Sequence, residues 1–161
     1  MRWIKRFLGK QHNPVDVARA LMSEFVFVDW TPEPLGLALG DDEQPRFADL
    51  ALVYRGALTL LVVIAEARRN KRVQGVQVEL EKHLFSGELE HSLSAVEEIK
   101  GAMTDLDHLL HPESERGELR WAASWLARGE IDEDNPAVLT LVAAAWMDAY
   151  VMLVKTVREL T

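Results

Sequence analysis

The sequence predicts an all-α protein, a single-domain bundle of about six helices, and three features support this. Asn13-Pro14 and Asn135-Pro136 each place a capping residue before a proline in the first helical position, where the missing N–H costs nothing. Apolar residues recur at spacings of three and four over long stretches, as they do on one face of a helix. A length of 161 residues is typical of one domain, so we expect residues 1–161 to fold as a unit.

Local signals place the remaining helix ends. Ser94 and Glu97 have the spacing of a capping box, and Pro112 precedes acidic residues that favour a helix start. Gly87 and Gly129 lie where helices are expected to stop. Together with the periodicity, these signals predict helices at residues 14–28, 47–72, 76–86, 94–110, 113–128 and 136–160. Residues 29–45 form the one long connection, a length at which loops are usually functional, mobile or conceal a short strand.

The segment from residue 47 to residue 72 has two interpretations. As a helix it presents a continuous apolar stripe, and Arg55 and Glu66 fall together on another face, as a helix surface requires. As strands it forms a central hairpin at residues 49–66 that turns at Arg55-Gly56, which makes the fold α/β. We favour the helix, because Arg-Gly is a poorer hairpin turn than Asn-Gly and the rest of the segment is rich in helix-forming residues.

Under the hairpin interpretation, this segment resembles part of an enzyme family. The stretch ADLALVYRGALTLLVVIAEAR resembles the core hairpin of PD-(D/E)xK nucleases, in which an Asp opens one strand and a Glu-x-Lys closes the next. The family's two carboxylates bind Mg²⁺, and the site orients the attacking water. The resemblance implies Asp49, Glu66 and Arg68 as catalytic residues, with Arg68 where the family has lysine and Ala48 where it has proline. A Mg²⁺-dependent nuclease is therefore the alternative function.

Two histidines follow carboxylates at the spacing found in di-metal helical bundles. Glu88 lies three residues before His91, and Asp105 lies three residues before His108. Two such pairs on facing helices could hold a transition metal. We favour solvated helix faces for these residues, because His91 precedes the helix predicted to begin at Ser94. The sequence predicts no cofactor.

The composition excludes several classes of site. The chain has no cysteine, which excludes disulfides, thiolate metal sites and a cysteine nucleophile and fits a cytoplasmic protein. It has 18 basic and 26 acidic residues, a net charge of -8, so a nucleic-acid partner is not expected. The charge balance favours a basic protein partner or plain solubility.

Residues 137–154 are the most apolar part of the chain. They are long enough to cross a membrane, but Asp148 lies among them, where a charge is costly in lipid. We expect a buried helix instead, so that residues 136–160 and 47–65 occupy the centre of the bundle.

The basic start of the chain is a candidate attachment device. In residues 1–10, Trp3 and Phe7 lie on an apolar face and Arg6 lies on a basic face. This pattern is typical of short amphipathic segments that contact an anionic membrane surface or a partner's groove. The sequence therefore allows peripheral contact with the inner face of a membrane through residues 1–10.

We expect a non-enzymatic intracellular interaction protein (adaptor, chaperone-like, immunity-type or regulatory) that binds a protein partner through a helical surface. Two regions join the N-terminal segment as expected contacts. One is a basic cluster that follows residue 67, and the other is a pair of tryptophans on one helix face. The predicted contact residues are Trp3, Arg6, Phe7, Arg68, Arg69, Arg72, Trp121 and Trp125.

Overall fold

A computed structural model describes residues 13–85, 94–114 and 116–161. These residues form six α-helices and no strand, so the all-α prediction is confirmed and the hairpin at residues 49–66 is wrong. The helices are α1 (Pro14–Leu21), α2 (Glu43–Ala67), α3 (Lys71–Phe85), α4 (Ser94–Leu110), α5 (Gly117–Arg128) and α6 (Pro136–Leu160). A π-helical turn, Met22–Val26, extends α1, and a short 3₁₀ turn spans Glu33–Leu35.

Helix α2 is the central element, and it packs against α3, α4 and α6. The Arg55-Gly56 pair that could have turned a hairpin lies inside the helix, where the Thr59 hydroxyl donates to the Arg55 carbonyl at 2.8 Å. Gly56 costs helix propensity, but a Cβ there would come within 3.2 Å of the Leu84 side chain on α3. The glycine therefore allows α2 and α3 to approach closely.

Asparagine side chains define three of the helix starts. Asn13 and Asn135 each accept a hydrogen bond at 3.0 Å from the backbone N–H two residues on, which confirms both predicted caps. Asn70 accepts from the Arg72 N–H at 3.0 Å in the same way. This third cap ends the predicted 47–72 helix early, at Ala67, and begins α3 at Lys71 rather than at residue 76.

An aromatic cluster fills the core between α2, α5 and α6. Trp121 and Trp125 stack with ring centroids 6.1 Å apart, and Trp125 meets Trp146 at 5.3 Å. Both tryptophans of α5 are buried, so the prediction that they form a contact surface is corrected. They pack inward because the face of α5 that carries them lies against Tyr54 and Trp146.

Helix α6 lies at the edge of the bundle rather than at its centre. Both α2 and α6 are long and apolar enough to cross a membrane by length and composition, each with a mean hydropathy of 1.9 in its most apolar 18 residues. In α2, 61% of that window is buried in the fold, whereas in α6 only 33% is. The expectation of a central helix holds for α2, while α6 leaves one apolar face uncovered.

Candidate functional site

Arg55 is the least expected charge in the fold. It lies in the middle of α2 with only 8% of its surface exposed, and its Nε and Nη1 atoms are buried without a hydrogen-bond partner among the described residues. A guanidinium keeps its proton and carries five N–H donors, so leaving donors unpaired in the interior is costly. Burial lowers the pKa of Arg55, and the carboxylate of Asp29 opposes that effect. Asp29 therefore offsets part of the cost of burial, but no described residue accepts a hydrogen bond from Nε or Nη1.

Trp30 lies in the irregular segment that follows the π-helical turn, and its ring covers Arg55. The guanidinium carbon lies 6.0 Å from the centroid of the Trp30 ring, which is cation–π distance. The same ring lies 4.4 Å from Trp146 and 6.4 Å from Trp125, and the indole N–H groups of these two residues are also buried without partners. Every buried side-chain nitrogen or oxygen that lacks a partner in the described part of the chain therefore belongs to Arg55 or to a tryptophan that contacts Trp30. All of them are donors, and the carboxylates of Asp29 and Asp49 line the larger cavity beside Arg55 without accepting a hydrogen bond from Nε or Nη1.

Two cavities share Arg55 and Trp30 as a common wall. One, of about 170 Å³, is lined mainly by apolar side chains, including Phe25, Val28 and Met152. The other, of about 220 Å³, opens between Phe27 and the first half of α2. An apolar cavity of roughly 150 Å³ can hold a benzene-sized molecule, so the first cavity has room for one ring-sized group.

Apolar side chains surround these openings. Phe27 and Val28 from the irregular segment and Met152 from α6 are large, apolar and exposed. Val28 and Met152 line the smaller cavity, and Phe27 lines the larger one. We call Arg55, Trp30, the two cavities and these three side chains the Arg55 cleft.

The residues predicted for a nuclease do not meet. Asp49 and Glu66 lie on the same helix, about 25 Å apart along its axis at 1.5 Å per residue, so they cannot share one cation. Asp49 is exposed. The carboxylate of Glu66 is buried and accepts two hydrogen bonds from Arg158, at 3.0 and 2.8 Å, that tie α2 to α6. Arg68 is exposed just beyond the end of α2.

Arg55 and Glu66 were expected on a helix surface, and both are buried. Their shared face of α2 is covered because the π-turn and α6 pack against it. Polar residues at positions 55, 59 and 66 interrupt the otherwise apolar stretch from Leu50 to Ala67, and this pattern was the sequence signal for the site. The pattern identified the face correctly, but periodicity alone does not distinguish a solvated face from one that a neighbouring element covers.

Asp105 links helices instead of binding a metal. Its carboxylate accepts from the Tyr54 hydroxyl at 2.5 Å and pairs with Arg128 at 2.7 Å, and its backbone carbonyl accepts from the Trp121 indole at 2.7 Å. Burial and the hydrogen bond to Asp105 raise the pKa of Tyr54, so the phenol remains a donor. His108 is exposed one helical turn away.

The rest of the predicted metal set, Glu88 and His91, lies outside the described residues. Within residues 13–85, 94–114 and 116–161, no group of three or more His, Asp or Glu side chains could hold a metal ion.

The basic cluster occupies the turn between α2 and α3. Arg68 and Arg69 are exposed in that turn, Arg72 is exposed at the start of α3, and Arg69 lies 3.6 Å from Glu66. Trp3, Arg6 and Phe7, the predicted contacts of the N-terminal segment, lie outside the described residues.

Comparison with known proteins adds no assignment. No family model matches the chain, and neither the curated proteins nor the solved structures contain a significant match.

Proposed function

We propose that this chain is a non-enzymatic interaction protein that binds a segment of a protein partner in the Arg55 cleft. The segment presents a carboxylate to Arg55 and an apolar side chain to the cavity beside it. One observation carries the proposal: two guanidinium nitrogens of Arg55 are buried without an acceptor among the described residues, next to cavities at which Phe27, Val28 and Met152 are exposed.

The chemistry of the cleft favours a carboxylate ligand. A guanidinium matches the two oxygens of a carboxylate in a bidentate arrangement, and a charge-assisted hydrogen bond is stronger in a dehydrated site. Because Arg55 does not release its proton at ordinary pH, it suits binding and not acid–base catalysis.

The surface around the openings favours a protein over a free small acid. A molecule that filled only the cavity of about 170 Å³ would contact Val28 and Met152 at its wall but leave Phe27, beside the other cavity, facing water. A partner segment would cover these side chains as well as filling the cavity, and clustered exposed apolar side chains are typical of interaction sites. This proposal replaces the two tryptophans of α5, which are buried, with the Arg55 cleft as the contact surface.

Site-specific photo-crosslinking in cells of the native host tests the proposal. A photo-reactive amino acid at Val28 should capture a protein partner, whereas the same group at Val78, which is exposed on α3, should not. The captured peptide should contain an Asp, a Glu or a C-terminal carboxylate beside an apolar residue. The Val28 product should disappear in Arg55→Met, and persistence at wild-type yield would contradict the proposal.

A further inference from the structure

The outer face of α6 has the spacing of a helix–helix interface. Its centre is formed by residues that alternate at four and three positions, and all of them are exposed: Ala137, Leu141, Ala144, Asp148, Val151 and Lys155. This alternation is the seam spacing of packed helix pairs. Met152 flanks the seam at its middle and is exposed as well.

The face is too apolar for an ordinary solvated surface. Val151 is 60% exposed, and Leu141 and Met152 are exposed with it on a helix whose most apolar window is only one-third buried. A helix with apolar residues on both its inner and outer faces normally buries both. The described elements cover only the inner face of α6.

Three exposed charges on this face, Asp148, Lys155 and Glu159, select an occupant and an orientation. In a parallel pair of α6 helices in register, Asp148 would face Asp148 and Lys155 would face Lys155, and both contacts are repulsive. In an antiparallel pair with its two-fold axis between residues 151 and 152, Asp148 lies opposite the partner's Lys155, and Val151 lies opposite the partner's Met152. Because a two-fold interface repeats every contact, one register supplies two ion pairs around an apolar centre.

We propose that the chain forms a two-fold dimer in which α6 packs antiparallel against α6 of a second copy, centred between Val151 and Met152. The side chains needed are available. Asp148 and Lys155 are exposed, and the only neighbour that Lys155 has among the described ion pairs is Glu159, at 3.8 Å. Arg158 is held by Glu66 on the inner side of α6 and does not compete for Asp148. The exposed charges of α6 pair with those of a second, antiparallel α6. This match favours a second copy of the chain over an unrelated helix as the partner.

Charge reversal tests the pairing directly. Sedimentation velocity of the full chain over a concentration series should show a species of twice 18.2 kDa. Asp148→Lys or Lys155→Asp alone should weaken dimerisation at least about tenfold, since each places like charges in contact twice. The double variant Asp148→Lys/Lys155→Asp should restore the dimer, because both pairs form again with their signs exchanged.

Two further variants test the register. Val151→Glu lies at the proposed axis and should produce a monomer. Leu141→Glu lies on the same seam but beyond the end of the partner's α6, and it should leave the dimer intact. A wild-type chain that remains monomeric at about 100 µM, a concentration at which a micromolar dimer forms, would overturn the proposal. A double charge reversal that behaves like the single ones would overturn the antiparallel register.

The dimer and the Arg55 cleft can be tested separately. Met152 is the side chain that the cleft and the proposed dimer interface share, but Arg55 lies beneath the inner side of α6 and takes no part in the seam, so Arg55→Met should leave the sedimentation profile unchanged. Far-UV circular dichroism of each variant checks that the exposed substitutions leave the helices folded.

Discussion

Arg55 occupies a position where an apolar residue would stabilise the fold more. Its buried Nε and Nη1 atoms have no hydrogen-bond partner in the described part of the chain, and an unsatisfied buried group costs about 1–3 kcal/mol. A charge kept at such a cost is typical of a binding site, since functional sites often sacrifice stability.

This cost gives a direct prediction for the unliganded chain. Arg55→Met should raise the free energy of unfolding by about 1–3 kcal/mol, measured by urea denaturation, while abolishing the Val28 crosslink. Arg46→Met is the matched control. Arg46 is partly exposed and its Nε donates to the Gly129 carbonyl at 3.1 Å, so its removal should not stabilise the chain. A destabilised Arg55→Met variant would show that the guanidinium of Arg55 has hydrogen-bond partners in solution.

The Glu66–Arg158 pair is the opposite case, a buried carboxylate with matched donors. The hydrogen bonds from Arg158 lower the pKa of Glu66 below its ordinary value of 4.5. Because the folded state has the lower pKa, ionised Glu66 stabilises the fold above pH 4.5. That contribution is lost as the pH falls through the pKa that Glu66 has in the folded state.

Glu66→Gln should therefore lower the free energy of unfolding by about 1–2 kcal/mol at pH 7, since Arg158 is half exposed and solvent screens the pair. The difference from wild type should shrink as the pH falls below about 5 in urea unfolding series. Glu97→Gln, which removes an exposed pair with Lys100, should change little at any of these pH values. Equal pH profiles for wild type and Glu66→Gln would contradict this assignment.

At the scale of elements, two helical glycines differ in the space around them, one in α4 and one in α3. Gly101 is exposed on α4, and no atom of the described residues lies within 4 Å of where its Cβ would be. Gly75 lies on α3, where a Cβ would come within 2.9 Å of the Pro14 ring at the start of α1. The first glycine costs helix propensity without a packing role, whereas the second allows α1 and α3 to approach.

Gly101→Ala should raise the free energy of unfolding by about 0.5–1 kcal/mol, the usual advantage of alanine inside a helix. Gly75→Ala should lower it by about 1 kcal/mol, because the rigid Pro14 ring can move only with α1. Thermal unfolding of the two variants side by side measures the difference. A stabilised Gly75→Ala variant would mean that α1 is not held closely against α3.

Element boundaries were predictable where a side chain sets them and less so elsewhere. Asn13 and Asn135 identified the starts of α1 and α6 because an amide followed by proline is a local signal. The break at Asn70 was missed, because arginines on both sides of it fit equally well at the end of one helix or the start of the next. The start of α5 was placed too early, since the left-handed backbone of Arg116 (φ 66°) precedes Gly117 and leaves no sequence signal of its own.

At the scale of the whole molecule, the fold class followed from periodicity, but the candidate site did not. The Arg55 cleft exists because the segment after α1 folds Trp30 over α2 and against α6, which is a tertiary arrangement. Sequence spacing placed Arg55 on the correct face of its helix without showing which element covers that face. The tryptophans of α5 were misassigned for the same reason, since a shared helix face can point inward or outward.

The aromatic cluster predicts how the molecule unfolds. Its rings come from α2, α5, α6 and the irregular segment, and the buried side chains form one continuous core. Separating any one of these elements exposes rings that the others contact, so partial unfolding costs almost as much as complete unfolding.

Loss of helix by far-UV circular dichroism and the red shift of tryptophan emission should therefore follow a single transition with the same midpoint in urea. Trp30→Phe should shift that midpoint without separating the two signals, because Phe at this position keeps part of the contact with Trp146. If the emission shifted well before the helices melted, the segment that carries Trp30 would be a separate unit of stability. Arg55 would then be reached by local opening of that segment rather than through the preformed cavities.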